Sequence, residues 1–152
     1  MSMPTGLETA PRPLFRQRVT ARFAVAVAAV LARLVPRRLS LILGAVSRGA
    51  RPATRAQALA ARDAVVAVSV TCAGQGCLQR SIATALLCRF TGAWPDWCTG
   101  IRTDPFRAHA WVEVEGEPVG EVDDIRRYRV TLTVPCPRHH TLTPRREGDP
   151  RS

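Results

Sequence analysis

Cys77 and His109 are the residues whose types and setting could carry covalent chemistry. Cys77 follows Gly74-Gln75-Gly76 and precedes Leu78, Ile82, Ala85, Leu86 and Leu87, a spacing that gives a helix one apolar face. The cysteine therefore starts a helix, where unpaired backbone N–H groups favour a thiolate. A thiolate needs a base to receive its proton and a group to aim that base. His109 stands in Ala108-His109-Ala110-Trp111-Val112-Glu113-Val114, with Glu121, Asp123 and Asp124 beyond it. That order, a thiol on a helix and then an imidazole and acids on strands, suggests a thiol peptidase or transferase. His109 would take the Cys77 proton and later give one to the leaving amine, and a carboxylate on the far ring nitrogen would fix the tautomer.

Each of these residues also has a plainer reading. Taken alone, Cys77 could be a buried small hydrophobe, but Cys72, Cys88 and Cys98 suit that role better. His109, between two alanines, could be packed in a core; what raises it is Trp111 two residues on, able to cover the imidazole, and acids within one hairpin. N–H groups at the start of the Cys77 helix suit an oxyanion, whereas Gln75 reads more simply as a solvent-facing loop residue. Arg80 and Ser81 read as groups that hold the helix by hydrogen bonds. Metal binding is the competing chemistry. Cys72 and Cys77 are five apart, and Cys136 lies near His139 and His140, but no two-plus-two ligand pattern appears. No cofactor and no metal are expected.

The hairpin between His109 and the acids decides which acid can reach it. A three-residue turn at Glu115-Gly116-Glu117 would put His109 opposite Asp123 and Trp111 opposite Glu121, with both acids on the face of His109. A two-residue turn would put them on the other face unless a bulge intervened. The spacing permits a catalytic acid without choosing between Glu121 and Asp123.

These groups need a scaffold. Residues 1–13 carry no periodic apolar pattern and read as a loose N-terminus. Leu14 to Leu34 reads as a helix with Val19, Phe23, Val27, Val30, Leu31 and Leu34 along one side, packed against neighbouring helices. Its apolar run from Phe23 to Ala32 is too short to cross a bilayer, which needs about 20 residues. Arg16, Arg18, Arg22 and Arg33 flank the run, so lying on a membrane surface is the less favoured alternative. Leu39 to Val46 gives a second helical segment, and Thr54 caps a third that runs to about Val68. Thr71 to Gly76 is a turn-rich approach to the Cys77 helix. Strands follow at Asp96 to Arg102, His109 to Val114, Pro118 onward, and through Tyr128, Val130, Leu132 and Val134. The pattern fades after Pro135, and 136–152 reads as a flexible tail. The whole is one α+β domain over 14–135, with a helical part (14–69) and a catalytic part (70–135).

A chain of 152 residues that is 46% apolar can bury one core and is not a disordered sequence. Five cysteines give no even disulfide framework, and no signal peptide is evident, so a cytoplasmic setting is expected. The net charge of +10 is unevenly placed. Residues 1–62 hold eleven arginines and Glu8 as the single acid, whereas residues 63–152 balance eleven arginines with eleven acids. Such a field can attract an acidic peptide, a partner protein, anionic lipid or nucleic acid. Nucleic acid is not expected, because no zinc finger, basic zipper or aromatic-basic RNA motif accompanies the arginines.

Gly76-Cys77-Leu78-Gln79-Arg80-Ser81, Trp97-Cys98-Thr99-Gly100-Ile101-Arg102, Pro105-Phe106-Arg107-Ala108-His109-Ala110-Trp111-Val112-Glu113, Pro118-Val119-Gly120-Glu121 and Tyr128 together resemble the B2-type leader peptidase of lasso peptide biosynthesis. That family is transglutaminase-like and related to the C-terminal domain of the microcin J25 processing protein. The resemblance implies a transglutaminase-like or papain-like cysteine protease core, to which the residues themselves add an arginine-rich helical N-terminal half and a small antiparallel sheet. It implies ATP-independent removal of the leader from a ribosomally made precursor, with Cys77 as nucleophile and His109 as general base. The family's acid, usually an aspartate, falls on Glu121, and this departure keeps Asp123 in contention. The implied partners are the precursor peptide, a separate B1-type leader-recognition protein and the lasso cyclase. An acyltransferase of the transglutaminase type and a non-catalytic peptide-binding scaffold are the alternatives.

Overall fold

The computed structural model of the chain describes residues 14–122 and 124–138. The expected loose N-terminus at 1–13, Asp123, His139, His140 and the tail beyond 138 lie outside the described residues. The architecture is α+β, with a helical N-terminal half and a small antiparallel sheet.

Helix α1 (Phe15–Leu31) fully buries Ala21, Ala24 and Ala28, and of the larger residues expected to face inward, Val27, Leu31 and Leu34 pack partly buried against the core. Val19, Phe23 and Val30 are exposed. The reason is steric. Where a helix stretch is apolar nearly all round, small residues let the backbones approach most closely, and α1 packs on the alanine-rich helices α3 (Arg55–Val68) and α5 (Cys77–Phe90). Helix α2 (Pro36–Ser47) opens on Pro36, whose missing N–H costs nothing at a first helical position. Thr54 caps α3 as its sequence suggests. Its hydroxyl accepts from Gln57 N–H at 3.1 Å, and the Gln57 side chain accepts from Thr54 N–H at 3.0 Å.

Between α3 and α5 the chain forms a short helix α4 (Val70–Ala73), where the sequence reading had only a turn-rich approach. Ser69 caps it by accepting from Cys72 N–H at 3.2 Å. A two-residue parallel pairing of β1 (Arg51–Pro52) with β2 (Ala93–Trp94) joins the two halves. Runs this short carry no alternation that a sequence could reveal.

The main sheet has the order β5-β4-β3-β6, built from β3 (Asp96–Thr103), β4 (Phe106–Val114), β5 (Glu117–Pro118) and β6 (Arg129–Val134), with antiparallel neighbours throughout. One face buries Trp97, Val112 and Val134 against the helices, and the other gathers Cys98, Trp111, Ile125 and Tyr128. The fully buried indoles of Trp94, Trp97 and Trp111 each contribute roughly 4–6 kcal/mol of transfer free energy. Their polar ends are matched. Trp94 Nε1 donates to Val134 O at 3.2 Å, Trp97 Nε1 to Ser81 Oγ at 3.0 Å and Trp111 Nε1 to Glu113 Oε1 at 2.8 Å.

Cys136, placed in the tail by the fading pattern after Pro135, is fully buried. Its N–H donates to Asp96 Oδ1 at 2.7 Å, and its thiol faces Ala50 O at 3.7 Å. A buried small residue with a side-chain anchor leaves no periodic trace, which is why the sequence pattern ended too early. No helix among the described residues is long and apolar enough to cross a membrane.

Candidate active site

Cys77 is the first residue of α5, with Gly76 as its N-cap. Gly76 is needed for space, since a Cβ there would lie 2.7 Å from Thr71 O. Arg80 ties the preceding loop down, its Nη1 donating to Cys72 O at 3.1 Å and Gly74 O at 3.3 Å. Ser81 donates to Leu78 O at 2.9 Å while accepting from Trp97. Both residues therefore hold the helix start in place. Of the donors in the first turn, Cys77 N–H goes to Gln75 O and Arg80 N–H to Gly76 O. The N–H groups of Leu78 and Gln79 make no main-chain hydrogen bond among the described residues and are free to face an anion. Gln75 is exposed.

His109 sits on β4 opposite Gly100 of β3. Beyond Val114 the chain turns through Glu115 and Gly116, both at positive φ, and Val114 pairs with Glu117. The turn thus has two residues, and plain continuation of the ladder would carry Glu121 to the face away from His109. The ladder does not continue. After Val119 N–H donates to Val112 O at 3.0 Å, Gly120 adopts φ +66° and redirects the chain. Glu121 Oε2 then lies 2.7 Å from His109 Nε2, with the side chains only 8% and 10% exposed. Asp123, the other contender, lies outside the described residues.

The remaining ring nitrogen of His109 is left for the thiol. Hydrogen bonding to His109 is the main reason the Cys77 pKa is lowered from 9.0; burial opposes it, and Ala110 N–H and the charges of His109 and Arg80 assist. The reciprocal effect raises His109 to about 9, through its hydrogen bonds to Cys77 first and Glu121 second. The two shifts together favour a thiolate beside an imidazolium at neutral pH. Cys88 and Cys98 behave oppositely, since burial pushes each thiol up to about 12. They are inert packing residues, as is fully buried Cys72.

Aromatic rings fix the imidazole. Trp111 stacks on it at 6.0 Å and 14°, Tyr128 lies tilted at 5.6 Å, and the two rings are 6.2 Å from each other. Arg102 covers the Tyr128 ring at 5.5 Å. Gly100 makes this packing feasible, because a Cβ there would meet Trp111 Cη2 at 2.9 Å and Arg129 O at 2.8 Å. The sequence reading gave Trp111 its covering role but gave Tyr128, a strand residue and part of the family resemblance, no role at the imidazole. No spacing rule links residue 128 to residue 109.

Cys77 and His109 line one cavity of about 250 Å³ with Leu34, Leu39, Leu78 and Ile101 among its apolar walls. A larger groove of about 830 Å³ lies elsewhere, among α1, α3 and α5, and contains none of these reactive groups. Among the described residues, no group of three or more His, Cys, Asp or Glu side chains could hold a metal ion.

A helix-borne thiol, a strand-borne imidazole and an acid after the next turn set the architecture against known families. The model of the transglutaminase-like superfamily matches residues 21–133. The chain belongs to this superfamily. The match takes in most of α1 as well as the sheet, so the helical half from residue 21 on is part of the transglutaminase-like unit and not an appendage to it. No curated protein and no solved structure matches the chain.

Proposed function

We propose that this transglutaminase-like protein is a cysteine peptidase that cuts the leader from a ribosomally made lasso precursor, without ATP, through an acyl-enzyme. What supports the reading is the His109 imidazole 2.7 Å from the Glu121 carboxylate, beside a Cys77 thiol whose pKa is lowered chiefly by hydrogen bonding to that ring. The likeness of the Cys77 and His109 blocks to lasso leader peptidases supplies the substrate class.

The Cys77 thiolate attacks the scissile carbonyl, and the negative charge passes to its oxygen, where the N–H groups of Leu78 and Gln79 can receive it. The imidazolium of His109 gives its proton to the leaving amine as the C–N bond breaks, leaving the leader as a thioester on Cys77. Water then loses a proton to His109 and attacks the thioester. The products are a leader carboxylate, a core peptide with a free amine, and the restored thiol. Glu121 holds the ring and offsets its charge during both halves. The leader is delivered by a separate leader-recognition protein, and the core passes to the cyclase.

Purified protein, leader-recognition partner and precursor tested together should yield leader and core fragments, and Cys77→Ala should abolish them while the fold persists. Undiminished cleavage by that variant would reject the assignment. Superfamily membership favours one second reading, in which an amine replaces water in the second step; an amide product, lighter by one water than the sum of its parts, would identify it.

A further inference from the structure

The outer side of α1 carries a row of apolar residues, Phe15, Val19, Phe23, Ala26 and Val30, all exposed. They recur every three or four residues and so form one stripe, on the side of the helix away from buried Ala21, Ala24 and Ala28. Phe15 is 81% exposed and Phe23 60%. Phe90, at the end of α5, widens the stripe by lying 6.1 Å from Phe23 ring to ring. These side chains are therefore surplus to the core, which α1 reaches through Ala24 and Ala28 together with Val25, Val27 and Leu31.

Charge indicates what the stripe meets. Arg16 and Arg22, both exposed, lie on its two flanks. From residue 14 to residue 62 the chain holds ten arginines and no acid. An apolar row edged by guanidinium groups on flexible stems is the anatomy of a helix lying in a membrane interface. The apolar row enters the acyl boundary while the arginines reach phosphates at headgroup level.

We propose that α1 seats this protein on an anionic lipid surface, with Phe15, Val19 and Phe23 entering the acyl boundary and Arg16 and Arg22 meeting lipid phosphates. Cys77 begins α5 and Phe90 ends it, about 20 Å apart at 1.5 Å per residue, so anchoring through Phe90 leaves the thiol away from the surface. The binding is peripheral, since no described helix crosses a membrane.

The test is co-sedimentation of the full chain with vesicles containing about one-third phosphatidylglycerol in phosphatidylcholine, and with phosphatidylcholine alone. Binding to the anionic vesicles only, weakened by salt, is expected. Phe15→Ser with Phe23→Ser should abolish it, and Arg16→Gln and Arg22→Gln should each weaken it about fivefold, with thermal unfolding unchanged because all four side chains are exposed. Absence of binding to anionic vesicles at low salt would overturn the proposal, as would binding that the phenylalanine substitutions leave intact. A dimer or an acidic protein complex that the same substitutions disperse, without vesicle binding, would assign the stripe to a protein partner instead.

Discussion

Glu121 Oε2 meets His109 Nε2 at 2.7 Å although the two-residue turn between them would by register alone send Glu121 to the opposite face. A single glycine at φ +66° reverses that outcome. The contact is thus set by a break in the strand and not by the strand itself.

That break yields a first prediction. A Cβ on Gly120 would lie 2.6 Å from Arg62 Cδ in a backbone region that disfavours side chains. Gly120→Ala should displace Glu121 and lower kcat/KM by about 10²-fold, the typical result of a misplacement near 1 Å. Adding Arg62→Ala should restore part of the loss by opening the space, while the strain at φ remains. Steady-state kinetics on the two variants checks both parts.

The acids can be ranked directly. Glu121→Gln keeps the size of the side chain and removes its charge, so cleavage should fall by about 10²–10⁴-fold. Because Glu121 already holds the ring, Asp123→Asn should leave the rate within about twofold of the parent. The reverse ranking in a precursor-cleavage assay would transfer the role to Asp123.

The pH profile follows from the two shifted groups. With Cys77 lowered from 9.0, the acid limb of kcat/KM should lie below the ordinary thiol range. With His109 raised to about 9, activity should be lost as pH rises through that value, because the imidazolium no longer has a proton for the leaving amine. Removing the Glu121 charge should move the alkaline limb down toward 6.5, the ordinary imidazole value. Rates from pH 5 to pH 10 on parent and Glu121→Gln measure the shift.

Ser81 offers a test of stability apart from chemistry. Ser81→Ala leaves the buried Trp97 Nε1 without the acceptor it now has at 3.0 Å. The loss should be about 1–3 kcal/mol, read as a lower urea midpoint at constant slope.

The sequence exposed some of this and hid the rest for identifiable reasons. Thr54 announced the start of α3, and Gly76 before Cys77 announced that of α5, because caps are local. Helix α1 was legible as a helix but not in its facing, since a run apolar nearly all round does not say which side meets the core. The β1–β2 pair, helix α4 and the anchoring of Cys136 depend on contacts distant in the chain. In the site, Cys77, His109 and Trp111 stood out by type and spacing. Tyr128 did not, because it reaches the imidazole only through the antiparallel return that brings the chain back beside β3. The approach of Glu121 to His109 turned on the conformation of Gly120, which several turn geometries could have supplied.

The most direct measurement is the intact mass of the protein, quenched in acid during turnover with precursor and leader-recognition partner. A species heavier by the leader fragment minus one water, attached at Cys77 and absent from Cys77→Ala, is the predicted result. Cleavage that proceeds with no such adduct, and at an equal rate in Cys77→Ala, would contradict a thioester on this residue.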